Sequence, residues 1–288
     1  LKTVLVTGGR GQLALCIKDL SKALKDYLFI YVDHNKLDIT KREEINVFFS
    51  ENKIDYCINC AAYTAVDKAE SEKHIAKSVN KLGAKYIAKA CKENEVVLIQ
   101  ISTDFVFDGE KNTPYIENDV TKPINFYGLT KLEGELAVTS ILDNFFLIRT
   151  SWLYSEYGNN FMKTILKLGK EKEELNIIYD QVGTPTYAGD LAGFILKLIT
   201  EKSNLYGIYH YSNEGLTSWY DFTKAIFNLR NLSIKVNPIK TEEYKQEAKR
   251  PMFSVLDKSK TKKTFNIEIP YWRDSLRKIL LKMNHLSN

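Results

Sequence analysis

The sequence predicts an α/β protein: a Rossmann-type doubly wound parallel sheet with a smaller α/β unit at its C-terminal side. Three observations predict it. Short β-branched runs alternate with amphipathic stretches through the first 150 residues, the pattern of strands joined by crossover helices. A glycine-rich turn joins the first of these runs to the first helical stretch. Later strands end in small or hydroxyl residues, at the sheet edge where open α/β folds take ligands.

The elements follow in order. Residues 2–7 read as a strand, and 13–24 carry apolar residues at helical spacing. Residues 28–32 form a second strand, 42–50 a helix and 54–60 a third strand. Residues 78–91 read as a helix with Ala84, Ile87, Ala88 and Cys91 on one stripe. A fourth strand spans 96–101, a helix includes 131–138, and a fifth strand spans 145–149. The crossovers are expected to be right-handed. These elements place a dinucleotide-binding unit at 1–150 and a mainly substrate-binding unit at 151–288. Helix 188–199 is expected to return and cover the sheet. From 206 onward short strands, helices and a Lys-rich loop alternate within the smaller unit.

Composition excludes several function classes. With 44% hydrophobic and 27% charged residues, the 288-residue chain can bury a sizeable core. No stretch approaches about 18 consecutive apolar residues, so no membrane helix is expected. The opening run Leu1 to Val6 is too short for a signal peptide, which points to the cytoplasm. The net charge of +5 is spread among alternating Lys and Glu, as in Lys170 to Glu174. Such runs read as solvated helix faces, and no basic stripe or module for nucleic acid is found. Cys57 and Cys60 match C-x-x-C, but on a strand they face opposite sides and should not meet. Neither they nor the scattered His34, His74, His210 and His285 suggest a metal site.

The first motif is Thr7-Gly8-Gly9-Arg10-Gly11-Gln12-Leu13-Ala14. Gly8 permits the tight turn, Gly11 lets the backbone approach a pyrophosphate, and Ala14 allows close helix–strand packing. The helix N-terminus then offers free N–H groups to the phosphates. The second strand runs to Asp33, whose carboxylate can hold the adenine ribose and repel a 2′-phosphate. The competing reading of Asp33 is a turn residue before His34-Asn35. Arg10 can pair with a 2′-phosphate, so NADH and NADPH both stay open. Asp38, followed by Ile39, can border the adenine. The small residues at the end of the third strand, leading into Ala62-Tyr63-Thr64, would let a flat cofactor lie against the backbone.

The fourth strand leads to Ser102-Thr103-Asp104, and Tyr127-Gly128-Leu129-Thr130-Lys131 lies on the following helix. Tyr127 and Lys131 share a helix face. Reducing a ketone needs a proton at oxygen as hydride reaches carbon. A phenol with its usual pKa near ~10 is a poor partner at neutral pH. The nearby Lys131 ammonium is expected to draw the Tyr127 pKa down, while Thr103 holds the carbonyl oxygen. A second match, Tyr220 to Lys224, is set aside: no Ser- or Thr-ended strand precedes it, and Tyr220 and Phe222 read as packing residues.

Taken together, these motifs resemble the extended short-chain dehydrogenase/reductases. Within them the chain is similar to the dTDP-4-dehydrorhamnose reductases over nearly its whole length. Ala65-Val66-Asp67-Lys68-Ala69-Glu70 and Asp180-Gln181-Val182-Gly183-Thr184-Pro185-Thr186 are more specific than the glycine turn. Ser102-Thr103-Asp104, Arg149-Thr150-Ser151-Trp152, Gly158 to Phe161 and Arg250-Pro251 also match. The resemblance implies Thr103, Tyr127 and Lys131 as catalytic. It implies Arg10, Gly11, Gln12, Leu13, Asp38, Ile39, Ala62, Tyr63 and Thr64 as cofactor contacts, joined by Tyr127 and Lys131. Thr103, Asp104 and Trp152 would meet the substrate, and Arg250 can clasp its diphosphate.

The implied reaction is NADPH- or NADH-dependent reduction of the C4 ketone of dTDP-4-dehydro-6-deoxy-L-mannose to dTDP-L-rhamnose. Two alternatives stand beside it. One is another sugar-nucleotide reductase or epimerase; the other is a non-catalytic regulatory subunit like that of methionine adenosyltransferase. Some members of the family form metal-bridged dimers through acidic residues. The aligned positions here are Cys16 and Gly189, so no metal is expected, and a homodimer is left open.

Overall fold

The computed structural model describes residues 1–285. The His285 side chain and the expected domain end at 288 lie outside the described residues. Six strands form one sheet: β1 (Lys2–Thr7), β2 (Tyr27–Tyr31), β3 (Tyr56–Asn59), β4 (Val97–Thr103), β5 (Phe145–Thr150) and β6 (Gly207–His210). Their order is β6-β5-β4-β3-β1-β2 and every pair is parallel. β3 and β5 are buried along their whole length, which is why they read as continuous apolar runs.

Successive residues of β1 serve opposite faces. Val4 and Val6 enter a core shared with Ile17, Ile148, Leu191 and Ile195. That layer is covered by helices Gln12–Ser21 and Ala188–Thr200, which pack on each other. Leu5 enters the opposite core with Ile45, Ile87, Leu98, Leu147 and Val138. Helices Arg42–Glu51, Ala84–Glu93 and Phe126–Thr139 cover that side. Cys57 lies in this second core and Cys60 borders the first, with all four cysteines free.

Two elements depart from the sequence reading. Residues from 206 onward were expected in the smaller unit, yet β6 extends the central sheet beside β5. Helix Ala188–Thr200 supplies the crossover that carries the chain there. The helix expected at 78–91 opens as a π-helical segment, Ser78–Gly83, before Ala84–Glu93 becomes regular. Such segments cluster at functional sites. Here it turns Asn80 toward helix Phe126–Thr139, where its amide donates to the Thr130 hydroxyl at 3.1 Å.

A separate core of Tyr154, Ile165, Phe222, Ile226 and Leu276 lies among helices Phe161–Glu171, Trp219–Leu229 and Trp272–His285. Asn160 and Ser218 cap the first two by accepting from Lys163 N at 3.1 Å and Asp221 N at 3.0 Å. Strands Glu174–Ile178 and Lys235–Ile239 pair in parallel beside it. Among the described residues, no helix is long and apolar enough to cross a membrane.

Candidate active site

The chain leaves β1 through Gly8, whose φ is +63°. A Cβ there would stand 2.8 Å from the Ala61 nitrogen, so glycine is required both for the turn and for the approach of β3. β1 lies between β2 and β3, so the winding of the sheet reverses here and a crevice opens at the carboxyl ends. A cavity of about 760 Å³ occupies it, lined by Gly8, Arg10, Gly11, Asp33, Asp38, Ile39, Ala62 and Tyr63. Helix Gln12–Ser21 has no side-chain cap at Gly11, which leaves its first N–H groups for an anion.

Five expected cofactor residues do not line this cavity: Gln12, Leu13 and Thr64, and also Tyr127 and Lys131. The Gln12 amide donates to Leu153 O at 3.1 Å and its oxygen accepts from Ser155. Leu13 is buried in the core, and Thr64 is exposed outside the crevice. Asp33 fulfils the turn reading and also lines the cavity. It accepts from Asn35 N at 3.1 Å and Lys36 N at 3.2 Å, shaping the turn, and pairs with Arg10 Nε at 2.5 Å. Burial raises the Asp38 pKa, but bonds from the Thr40 amide and hydroxyl, with His34 and Lys41 nearby, hold it below the usual range. Asn80, which the motifs did not single out, fixes Tyr63: its oxygen accepts from Tyr63 N at 2.9 Å and its amide donates to Tyr63 O at 3.0 Å.

Thr103 ends β4, and its hydroxyl donates to Asp104 Oδ1 at 3.0 Å while accepting from Phe105 N at 3.2 Å. Asn125 caps the catalytic helix by accepting from Gly128 N at 2.7 Å, and its amide donates to Lys249 O at 2.8 Å. Tyr127 therefore begins the helix directly against the end of β4, with its ring edge-on to Phe105. Lys131 lies one turn on, buried, donating to Ile101 O at 2.7 Å.

The electrostatics correct one expectation. Lys131 does not draw Tyr127 down. Burial dominates and pushes the phenol up to about 12, opposed by the Thr103 hydrogen bond and reinforced by Asp104. Burial also lowers Lys131 to about 8, against the opposing charge of Glu135. The Tyr127 side chain as a whole keeps some exposure. Burial raises Asp104 to about 7, with Ser254 and Thr103 opposing. Asp104 Oδ2 is buried with no hydrogen-bond partner.

On the substrate side, Trp152 sits with φ +44°, and its indole stacks on Trp219 at 3.5 Å and 7° between planes. Trp219 Nε1 donates to Gln181 Oε1 at 3.2 Å. Trp219 opens the helix of the second Tyr-x-x-x-Lys match. There Phe222 is buried in the small core and Tyr220 packs against it. Arg250 also differs from expectation. Its guanidinium clasps Asp67 at 2.6 and 2.9 Å and donates to Gln246 and the Ala248 carbonyl, so its fork is already engaged. This ties the loop before Pro251 to the short helix Val66–Ala69.

At the positions aligned with the family's metal ligands, Cys16 is pushed up to about 12, chiefly by burial, and Gly189 abuts the Tyr187 ring. Lys282 pairs with the nearby Glu156 at 2.5 Å. A second cavity of about 520 Å³ opens at the amino ends of the strands, between Lys2, Asp55, Tyr56 and Val97. Thr103 and the glycine turn lie at the other, carboxyl end of the strands, where open α/β sheets take ligands.

Known proteins match this arrangement over most of their length. A dTDP-4-dehydrorhamnose reductase of Aggregatibacter actinomycetemcomitans is 40% identical, covering 96% of this chain and 97% of the relative. A dTDP-4-dehydrorhamnose reductase structure from Clostridium acetobutylicum superposes with a TM-score of 0.95 at 42% identity, covering 98% of this chain and 99% of that one. The Bacillus anthracis dTDP-4-dehydrorhamnose reductase, solved in complex with NADP, gives 0.94 at 38% identity with the same coverage. Residues 2–285 match the family described as the RmlD substrate binding domain, and the chain belongs to that family.

Proposed function

We propose that this chain reduces the C4 ketone of dTDP-4-dehydro-6-deoxy-L-mannose to dTDP-L-rhamnose with NADPH or NADH. The observation that carries this reading is the convergence of Thr103, Tyr127 and Lys131 at the carboxyl end of β4. The glycine turn fits a dinucleotide, since Gly8 and Gly11 line the cavity and helix Gln12–Ser21 leaves its first N–H groups free there. Gly8, Gly11, Asp33, Asp38, Ile39 and Ala62 would hold the cofactor, and Arg10 or Asp33 would meet the adenine ribose. The bound cofactor supplies the hydride.

The chain's own residues do the rest. Tyr127 keeps its proton at neutral pH, and because a phenol pushed up to about 12 is a weak acid, delivery of that proton to the ketone oxygen depends on the charges that stabilise the phenolate. Thr103 would turn its hydroxyl proton from Asp104 Oδ1 to that oxygen. Lys131, mostly charged below about pH 8, stabilises the phenolate left behind. Trp152 offers an indole face to the C–H surface of the deoxysugar. The 1–150 unit would carry the dinucleotide and the 151–288 unit the sugar nucleotide, in the cytoplasm with the cofactor pool.

The test is loss of absorbance at 340 nm with purified protein, either cofactor and the 4-ketosugar nucleotide. Substrate-dependent oxidation of NADPH or NADH supports the reading. Cofactor binding with no consumption would move the assignment to another sugar nucleotide or to a regulatory subunit.

A further inference from the structure

We infer that Glu135 is a positioning residue for this reduction: its buried carboxylate, clamped between Arg149 and Ser102 one helical turn from Lys131, supplies the negative charge that balances the Lys131 ammonium, which the Ile101 carbonyl holds. The inference rests on the proposed function and deepens it. Lys131 and Glu135 are one helical turn apart on the same face. Both are buried, at 6% and 3% exposure, as is Arg149 at 3%.

Three elements meet at the Glu135 carboxylate. Ser102 of β4 donates to it through its hydroxyl. Arg149 of β5 donates through Nε at 3.1 Å and Nη2 at 2.7 Å, a two-pronged clamp. The remaining nitrogen, Nη1, donates to Glu117 O at 3.2 Å and faces His210 Nε2 at 3.4 Å. His210 Nδ1 lies 3.0 Å from Tyr115 O, which fixes the proton on Nδ1 and leaves Nε2 to accept. Burial, then the Arg149 charge, lowers His210 to about 3, so it adds no charge.

The remaining titratable neighbours leave Glu135 as the source of negative charge. Cys60 faces Lys131 from the end of β3, and burial pushes its thiol up, keeping it neutral. Tyr127 on the same helix is a neutral phenol. Asp104, raised to about 7 by burial, acts on Tyr127. Glu117 takes the His210 amide at 3.0 Å, with burial raising its pKa. Without the Glu135 charge, Lys131 and Arg149 would be two dry cations sharing one layer. Lys131 is the one able to lose its proton.

The experiment follows Lys131 by two readouts in Glu135→Gln, which keeps the shape and removes the charge. In cofactor-free protein, 15N NMR of the lysine Nζ, assigned by its loss in Lys131→Met, gives the titration midpoint directly. The midpoint is expected to fall by about one pH unit or more. The alkaline limb of kcat/KM should move down with it. Activity lost at pH 8, on the order of tenfold, should return toward pH 6. Glu135→Asp should keep the parent midpoint. Should Glu135→Gln not fold, Arg149→Gln carries the test with the opposite sign, since it leaves the Glu135 charge unshared and should move the midpoint up. A folded variant of either kind with the parent midpoint would overturn the inference. Failure of the wild-type protein to oxidise either cofactor with the ketosugar would instead overturn the proposed function, leaving the NMR result to stand alone.

Discussion

Gly128 is the position where a single methyl group should do the most damage. In an ordinary helix, replacing glycine by alanine stabilises by roughly 0.5–1 kcal/mol. Here the added Cβ would stand 2.1 Å from the Phe105 carbonyl oxygen and 3.1 Å from the Pro123 ring. Ordinary contact between such atoms needs about 3.5 Å, so the helix start must retreat by roughly 1 Å. The obstacle is backbone, not the end of a flexible side chain. Overpacking of this kind costs about 1–3 kcal/mol, which exceeds the propensity gain. Tyr127 precedes the clash directly, and Thr103 and Asp104 precede Phe105, so the retreat separates the proton donor from its partners. A shift of about 1 Å at a reacting group costs on the order of 10²-fold in turnover. Gly128→Ala should therefore lower the midpoint of thermal unfolding by several degrees and kcat by about that factor, with cofactor affinity nearly unchanged. Thermal unfolding and the 340 nm assay read the two effects. A variant with the parent unfolding midpoint and parent kcat would show that the helix is not pinned at Phe105.

Other predictions concern the rest of the site. The folded-state pKa of Asp104 is raised from 3.8 to about 7, so ionising it opposes folding. Stability should fall as pH rises between those values, by at most roughly 4 kcal/mol. Asp104→Asn should flatten that slope in pH-dependent unfolding, and an unchanged slope would reject the assignment. Arg10→Ala should weaken NADPH binding by about tenfold and NADH binding little, whereas Asp33→Asn should favour NADPH; equal effects on both cofactors would remove the 2′-phosphate role. If Arg250 acts through Asp67, then Asp67→Ala, Arg250→Ala and the double variant should raise the KM for the sugar nucleotide alike. A markedly larger effect of Arg250→Ala would point to direct contact with the diphosphate.

The first five strands were legible because buried parallel strands are continuous apolar runs, and the glycine turn announced itself by its place after β1. Tyr127 and Lys131 stood out by helical spacing only together with the strand leading to Ser102-Thr103, since Tyr220 and Lys224 have the same spacing. β6 was not, since Gly207-Ile208-Tyr209-His210 is short and becomes a strand only by pairing with β5. The π-helical segment is set by contact between Asn80 and the catalytic helix, a tertiary effect without a local pattern. The Trp152–Trp219 stack joins residues far apart in sequence, and the polar runs around Arg250 gave no sign of Asp67 as its partner. Glu135, Arg149 and His210 looked like ordinary strand and helix residues. Only the Arg149-Thr150-Ser151-Trp152 match hinted that a buried arginine matters there.

The central claim is that Tyr127 gives the proton while the sugar C4 receives hydride. The most direct measurement is single-turnover oxidation of NADPH by Tyr127→Phe, paired with fluorescence titration of cofactor binding. The account predicts a rate lower by about 10²–10⁴-fold with the cofactor affinity of the parent. A variant that binds NADPH normally and keeps most of the parent rate would contradict it.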